Sequence, residues 1–177
     1  MSIFNYYPKV TFKLNDFDST KAVDLTTSLK IKDFIKSYRG INYTPYVVKD
    51  GERPDNVAFK MYNDPTLDWI ILLANDIYNI YEDWPKNSEQ FANYIVDKYG
   101  SLSSALSTTK YYYDKSRNII DETTHASLSA SEQGPIESVY EWEARMNLNK
   151  SKIRIVSPSL VGAIQSDIKS LLINPVR

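Results

Sequence analysis

YVVKDGERPDNVAFKMYNDPTLDWIILLANDIYNIYEDW, residues 46–84, holds the longest strictly apolar run of the chain, Trp69 to Ala74, and two of its three Trp. Tyr46, Val47 and Val48 favour a strand, and Asp50-Gly51 ends it in a turn. Pro54 suits a first helical position. Val57, Ala58, Met61 and Tyr62 then recur at helical spacing, which predicts a helix over 53–62. Asp64-Pro65 restarts the chain as a second helix, with Asp64 as cap. Its apolar side chains, Leu67, Trp69, Ile70, Ile71, Leu72, Leu73 and Ala74, cover most of the circumference, so this helix is expected to be buried on several sides. Val57, Met61, Trp69, Ile70 and Leu73 are the expected core. Tyr78, Ile80, Tyr81 and Trp84 read as an irregular aromatic loop ending at Pro85. Tyr81 and Trp84 are its interface candidates, because contact hot spots favour Tyr and Trp.

On the N-terminal side, Val10, Phe12 and Leu14 alternate, which predicts a short strand. Asn15–Thr20 reads as a polar turn, and 21–40 as one or two short helices with Phe34, Ile35 and Tyr38 on one face and Gly40 as stop. On the C-terminal side, Ser88 opens a helix bearing Phe91, Tyr94, Ile95 and Tyr99, with Gly100 after it. A short helix or turn follows at 101–107. Tyr111–Tyr113 and Ile119-Ile120 read as a β-hairpin around Asp114–Asn118. The Ser- and Thr-rich stretch 123–134 is expected to be a flexible loop. A helix over 136–149, a strand over 153–156 and a last helix from Pro158 or Ser159 complete the chain.

The bulk numbers narrow the function. With 21 basic and 22 acidic residues and net charge −1, the chain lacks the basic excess of a nucleic-acid surface. It has no Cys, which excludes disulfides, thiolate metal sites and Cys nucleophiles. No apolar run approaches the ~20 residues of a membrane span, and the first residues do not pattern as a signal peptide. A cytoplasmic, soluble chain without membrane contact is therefore expected. Fourteen Tyr fit interfaces as well as half-buried surfaces, and equally a codon bias.

No chemistry-bearing pattern stands out. The only His, His125, lies in the stretch expected to be flexible, whereas acid–base catalysis needs a fixed partner. Asp64 and Asp68 share a helix side, but the first reads as a cap and the second as a solvated face. Asp16 and Asp18 lack the rest of a calcium loop, and the five Gly are isolated, so no phosphate loop exists. No catalytic, metal or cofactor residue is assigned.

Several ordered segments resemble the baseplate wedge subunits of contractile-tailed phages, the gene product fifty-three family of the T-even phages. They are Asp24-Leu25-Thr26 leading to Phe34, Tyr46-Val47-Val48-Lys49-Asp50-Gly51-Glu52-Arg53-Pro54-Asp55, Ala58, and Tyr62-Asn63-Asp64-Pro65. Trp69–Leu73, Asn75-Asp76-Ile77 and Tyr81–Pro85 continue the match, and the C-terminal strand and helix are similar too; 101–135 match poorly. The central stretch also resembles a LysM module, in which a strand and Gly turn precede two helices and a closing strand. That resemblance implies that Ile153–Val156 returns to pair with Tyr46–Lys49, making 86–150 an insertion.

The expected fold is thus α+β. A small LysM-like strand-helix-helix-strand core (43–85, closed by 151–177 with the C-terminal helix) carries an N-terminal arm (1–42) and an insertion (86–150) of helices, a β-hairpin and a loop. The resemblance implies a non-enzymatic structural subunit of a virion tail baseplate, assembled in the host cytoplasm. Its implied partners are other wedge proteins and the sheath-initiating lysozyme-like subunit, with several copies around the tail axis. Gly51, Arg53, Asp55, Tyr78, Tyr81, Trp84, Val10 and Phe12 are the expected contact residues, Val10 and Phe12 through a strand able to join another chain's sheet. The alternatives are a LysM-type module binding peptidoglycan, with a groove between 51–54 and 75–78, and a small cell-wall hydrolase working through carboxylate pairs.

Overall fold

The computed structural model describes Tyr7 and residues 9–13, 19–23 and 42–173. In chain order the elements are β1 (Lys9–Lys13), β2 (Ser19–Val23), β3 (Tyr43–Val47), α1 (Pro54–Tyr62), a 3-10 turn (Pro65–Leu67), α2 (Asp68–Ala74) and α3 (Ile80–Asp83). There follow α4 (Ser88–Tyr99), α5 (Leu102–Ser107), β4 (Thr109–Asp114), β5 (Ile119–Ile120), α6 (Glu122–Ser127), β6 (Gln133–Ser138), α7 (Val139–Ser151), β7 (Lys152–Val156) and α8 (Pro158–Ile173). The class is α+β, with small antiparallel sheets. The chain divides into two compact units, one of Met1–Val48, Glu52–Asp83 and Lys152–Arg177, the other of Lys49–Gly51 and Trp84–Ser151.

In the first unit β3 and β7 pair antiparallel, Tyr46 opposite Ile153 and Val47 opposite Lys152. These are the expected partners, with the ladder set toward the N-terminal side so that Val48 and Lys49 fall outside it. Ile153 and Ile155 turn inward and are buried, while Tyr43, Pro45, Val47, Lys152 and Arg154 are exposed. Under the inward face Leu67, Trp69, Ile70 and Ala74 meet Val156 and Val161, Ile164 and Ile168 of α8, joined by Tyr7. Each large side chain fully buried here stabilises the fold by ~1.5–3 kcal/mol. Val57, Trp69 and Ile70 are buried; Met61 and Leu73 are half-buried, and Leu73 packs against the core.

A two-stranded ribbon leaves both outer edges in need of partners. At the centre of β7, the Asn75 amide takes the Arg154 N–H on its Oδ1 at 2.7 Å and donates Nδ2 to the Arg154 carbonyl at 2.8 Å. The same Nδ2 reaches the Ile71 carbonyl at 2.8 Å, and an Arg154 guanidinium nitrogen caps the Ala74 carbonyl at 3.1 Å. Tyr62 Oη donates to the next outward carbonyl, Val156, at 3.2 Å. Burial pushes the Tyr62 phenol up to about 12. On the opposite edge Pro45, across from Arg154, offers no N–H.

β1 and β2 form an antiparallel hairpin, with Val10 opposite Ala22. Ser19–Val23 is therefore a strand, not the end of a polar turn and the start of a helical stretch: a strand such as Lys9–Lys13 needs a ladder for its backbone groups. Leu14 and residues 24–41, with the expected helices over 21–40, lie outside the described residues.

In the second unit Asn87 and Gln90 form a reciprocal capping box at α4, and Gly100 ends it at φ 81°. The sheet order is β5-β4-β6. Residues 123–134 are not a flexible loop. The Asp121 carboxylate caps α6 through the Thr124 N–H at 2.9 Å and the Thr124 hydroxyl at 2.6 Å. His125 of α6 is buried, its ring 5.3 Å from that of Tyr112 and its Nε2 3.1 Å from the Gly134 carbonyl. The hydroxyls that suggested a loop are spent on caps and turns. Ile136 likewise lies in β6 opposite Tyr112, so α7 starts only at Val139. At Gly134 β6 crosses so close to β4 that a Cβ would collide with the Tyr113 and Asp114 carbonyls.

Asn75→Ala is expected to destabilise the protein by about 1–2 kcal/mol, since it removes the hydrogen bonds to the Arg154 edge of β7 and to the Ile71 carbonyl, and Tyr62→Phe by about 1 kcal/mol. Urea denaturation of both variants and of the double variant measures these losses; coupling is expected because both side chains seal one edge. Gly134→Ala should cost about 1–3 kcal/mol and raise amide hydrogen exchange in β4 and β6.

Candidate docking surfaces

The segment after α2 is an ordered knuckle, not the irregular loop its composition suggests. Asp76 adopts φ 59°, which takes the chain out of the helix. The Asp83 carboxylate then receives the N–H groups of Tyr78 at 3.1 Å and Asn79 at 3.0 Å. Asn79 Oδ1 receives the Tyr81 N–H at 3.1 Å, and Tyr78 Oη donates to Asp76 at 2.8 Å. The one-turn helix α3 results, an Asn/Asp-driven turn. Its base is fixed, yet Tyr78 is 55% and Tyr81 87% exposed, with Ile80 beside them at 43%. Large apolar surface held out on a preorganised turn loses little entropy on contact.

The other expected contact residues divide. Trp84 is buried, 6% exposed, so it fills the fold and offers no free face; the apolar area of an indole outweighs its loop-like neighbours. Gly51 makes its turn at φ 73° with open space where a Cβ would stand. Arg53 Nε pairs with Asp55 at 3.1 Å on the surface, an interaction of small stabilising effect. Val10 is exposed. The Phe12 side chain lies outside the described residues.

Several carboxylates are engaged in structural hydrogen bonds and ion pairs. Asp64 caps the 3-10 turn, and the Thr66 hydroxyl and N–H hold its carboxyl below the usual range. Asp68 is not a solvated face: it is half-buried, accepts the Trp69 N–H at 2.9 Å, and burial raises its carboxyl. Glu52, buried, accepts Tyr46 Oη at 2.8 and 3.0 Å and pairs with Lys60. Glu143, buried on α7, accepts Tyr99 Oη and Lys98 Nζ at 2.7 Å and Tyr94 Oη at 3.1 Å, all from α4. Burial works against the ionised Glu143, but these donors outweigh it and the carboxyl lies below its usual range. Glu137 takes two of the three Arg145 guanidinium nitrogens, Nε and Nη2, at 2.8 and 2.9 Å, and Tyr113 Oη at 2.7 Å, chiefly the Arg145 bonds holding its carboxyl low. These residues line a groove of about 490 Å³ that also touches Arg117, Pro135 and Glu141. Nothing in the sequence marked Glu52, Glu137 or Glu143; a Tyr-rich chain with scattered acids was the available signal.

Among the described residues no group of three or more His, Asp or Glu is placed to hold a metal ion, and no helix is long and apolar enough to cross a membrane.

The fold is α+β, several of its carboxylates serve as caps and ion-pair partners, and Tyr78 and Tyr81 stand exposed on a hydrogen-bonded turn. The chain belongs to the base plate wedge protein 53 family, whose profile matches residues 3–123. It is 24% identical to baseplate wedge protein gp53 of Enterobacteria phage T4, over 77% of this chain and 78% of that protein.

Glu143→Gln is expected to lower stability at neutral pH by about 2 kcal/mol, in the range for hydrogen bonds to a charged group. Because the folded carboxyl sits below its unfolded value of roughly 4.3, its contribution is complete above that pH and disappears as pH falls through the folded value. The gap between wild type and variant, followed by denaturant titration from pH 7 to pH 3, should therefore narrow with acidification.

Proposed function

We propose that this chain is a structural subunit of a phage tail baseplate wedge, with no turnover, which joins neighbouring wedge proteins into the ring around the hub. Family membership over more than half of the chain carries this reading. Other wedge proteins and the sheath-initiating lysozyme-like subunit are its proposed neighbours, with several copies about the tail axis. It would reach the virion after assembly in the host cytoplasm. The knuckle residues Tyr78 and Tyr81, with Gly51, Arg53 and Asp55, are the proposed contacts; Val10 and Phe12 add the N-terminal strand.

A second reading rests on the order β3-α1-α2-β7, the strand-helix-helix-strand order of a LysM module. We take that module as a protein-docking core. Retention of the purified chain on chitin or peptidoglycan, with loss on changing the 51–54 or 75–78 turns, would favour glycan binding instead.

Cryo-electron microscopy of tails should find this chain in the baseplate; tails complete without it would overturn the reading. Tyr81→Ala, alone and with Tyr78→Ala, should leave the melting temperature within a few degrees, as exposed substitutions do, yet reduce the yield of complete baseplates in a complementation assay.

A further inference from the structure

The solvent face of the β3–β7 ribbon is a second surface, apart from the knuckle. Tyr43, Pro45 and Val47 of β3 and Lys152 and Arg154 of β7 are all exposed on it. Val47 is 60% exposed and Tyr43 36%. The Arg154 guanidinium lies 5.0 Å from the centre of the Tyr43 ring and donates to the Ala74 carbonyl at 3.1 Å. It is thus held in place by a ring and a carbonyl, with no carboxylate beside it among the described residues. The two strands carry two cations and no Asp or Glu between them.

The way a partner could meet this ribbon is constrained. The outward Arg154 N–H and carbonyl are taken by Asn75 and the Val156 carbonyl by Tyr62. Pro45 removes a donor from the middle of the other edge. Addition of a third strand is therefore blocked at the centre of both edges, and contact falls to the side chains of the face. A fixed guanidinium flanked by an aromatic ring favours a carboxylate, since Arg presents a rigid set of donors and is enriched with Tyr at hot spots.

We propose that this face docks a segment of another protein that sets a carboxylate against Arg154 and an apolar side chain against Val47 and Tyr43. The identity of that protein as a baseplate neighbour rests on the function proposed above; the acidic, apolar character of the segment rests on the face itself.

The test places the photo-crosslinker p-benzoylphenylalanine at Val47 in the full chain, and irradiates both infected cells and purified tails. The expected product joins position 47 to a peptide of a different protein with an Asp or Glu near an apolar residue. Its yield should fall several-fold with Arg154→Glu. Arg154→Gln, which keeps a donor for the Ala74 carbonyl but removes the charge, should lower it as well while leaving urea stability intact. Changing the partner's carboxylate to Lys should restore the yield with Arg154→Glu. A product with a second copy of this chain, a partner peptide free of acids, a yield unmoved by both Arg154 variants, or no product in tails that contain the chain would overturn the proposal. Absence of the chain from tails would instead sink the baseplate reading, and the product formed in infected cells would still decide the chemistry of the face.

Discussion

One side-chain amide joins the end of α2 to the open edge of β7 in the first unit. A β-ribbon of two strands is marginal in water, and β7 has a ladder on one side only. Asn75 supplies the other side: its Oδ1 and Nδ2 replace the carbonyl and N–H of a neighbouring strand at Arg154. Asn serves here because it carries one acceptor and one donor at the spacing of a peptide group. Its position just after α2 also lets the same group close the helix, through the Ile71 carbonyl. Arg154 returns the favour by capping Ala74. The helix end and the strand edge each lack backbone partners, and they satisfy one another. With β7 fixed, Val156 reaches the core and α8 can cover it.

That arrangement explains how the chain tolerates so long an interruption. Asn75 and Arg154 are 79 residues apart in sequence, and most of the intervening residues form a unit with its own capped helices, its own sheet and its own buried charges. The entropic cost of closing a loop rises slowly with its length, and a stretch that forms a compact unit of its own presents its two ends as fixed points. The ends are anchored within that unit: Ser88 N–H and hydroxyl bond Asp50 at 2.9 and 3.0 Å, and Asn147 pairs with the backbone of Lys86 at 2.8 and 2.9 Å.

Much of this was legible in the sequence where the signal is local. Pro54, Asp64-Pro65 and Gly100 marked helix ends because capping depends on neighbours alone. The apolar run of α2 announced its burial. The pairing of β3 with β7 was implied by the resemblance to a LysM module, not by either strand. What was missed depends on distant partners. Ser19–Val23 is a strand because β1 lies beside it. Residues 123–134 look like a loop because they lack apolar periodicity, yet Asp121 and the Tyr112 ring order them. Trp84 and Asp68 were set on the surface by their neighbours in sequence, and their burial comes from elsewhere. Of the contact candidates, Tyr78 and Tyr81 are exposed on a rigid base. The ribbon face went unread because Tyr43 and Arg154 lie far apart in the chain.

The abundance of Tyr, open at first to an interface reading and to codon bias, has a physical use of its own. Tyr94 and Tyr99 donate to Glu143, Tyr113 to Glu137, Tyr46 to Glu52 and Tyr62 to a strand carbonyl. A phenol can fill a half-buried site with its ring and still deliver a hydrogen bond at its tip. A buried carboxylate needs several such donors to remain ionised, and Lys98 and Lys60 complete the sets. A small chain without disulfides thereby fixes α4 against α7, and α1 against β3, with oriented bonds in addition to apolar area. For the docking role proposed above, rigidity of this kind matters more than stability alone. Side chains such as Tyr81 and Arg154 make specific contacts only if the scaffold beneath them does not yield when a partner binds.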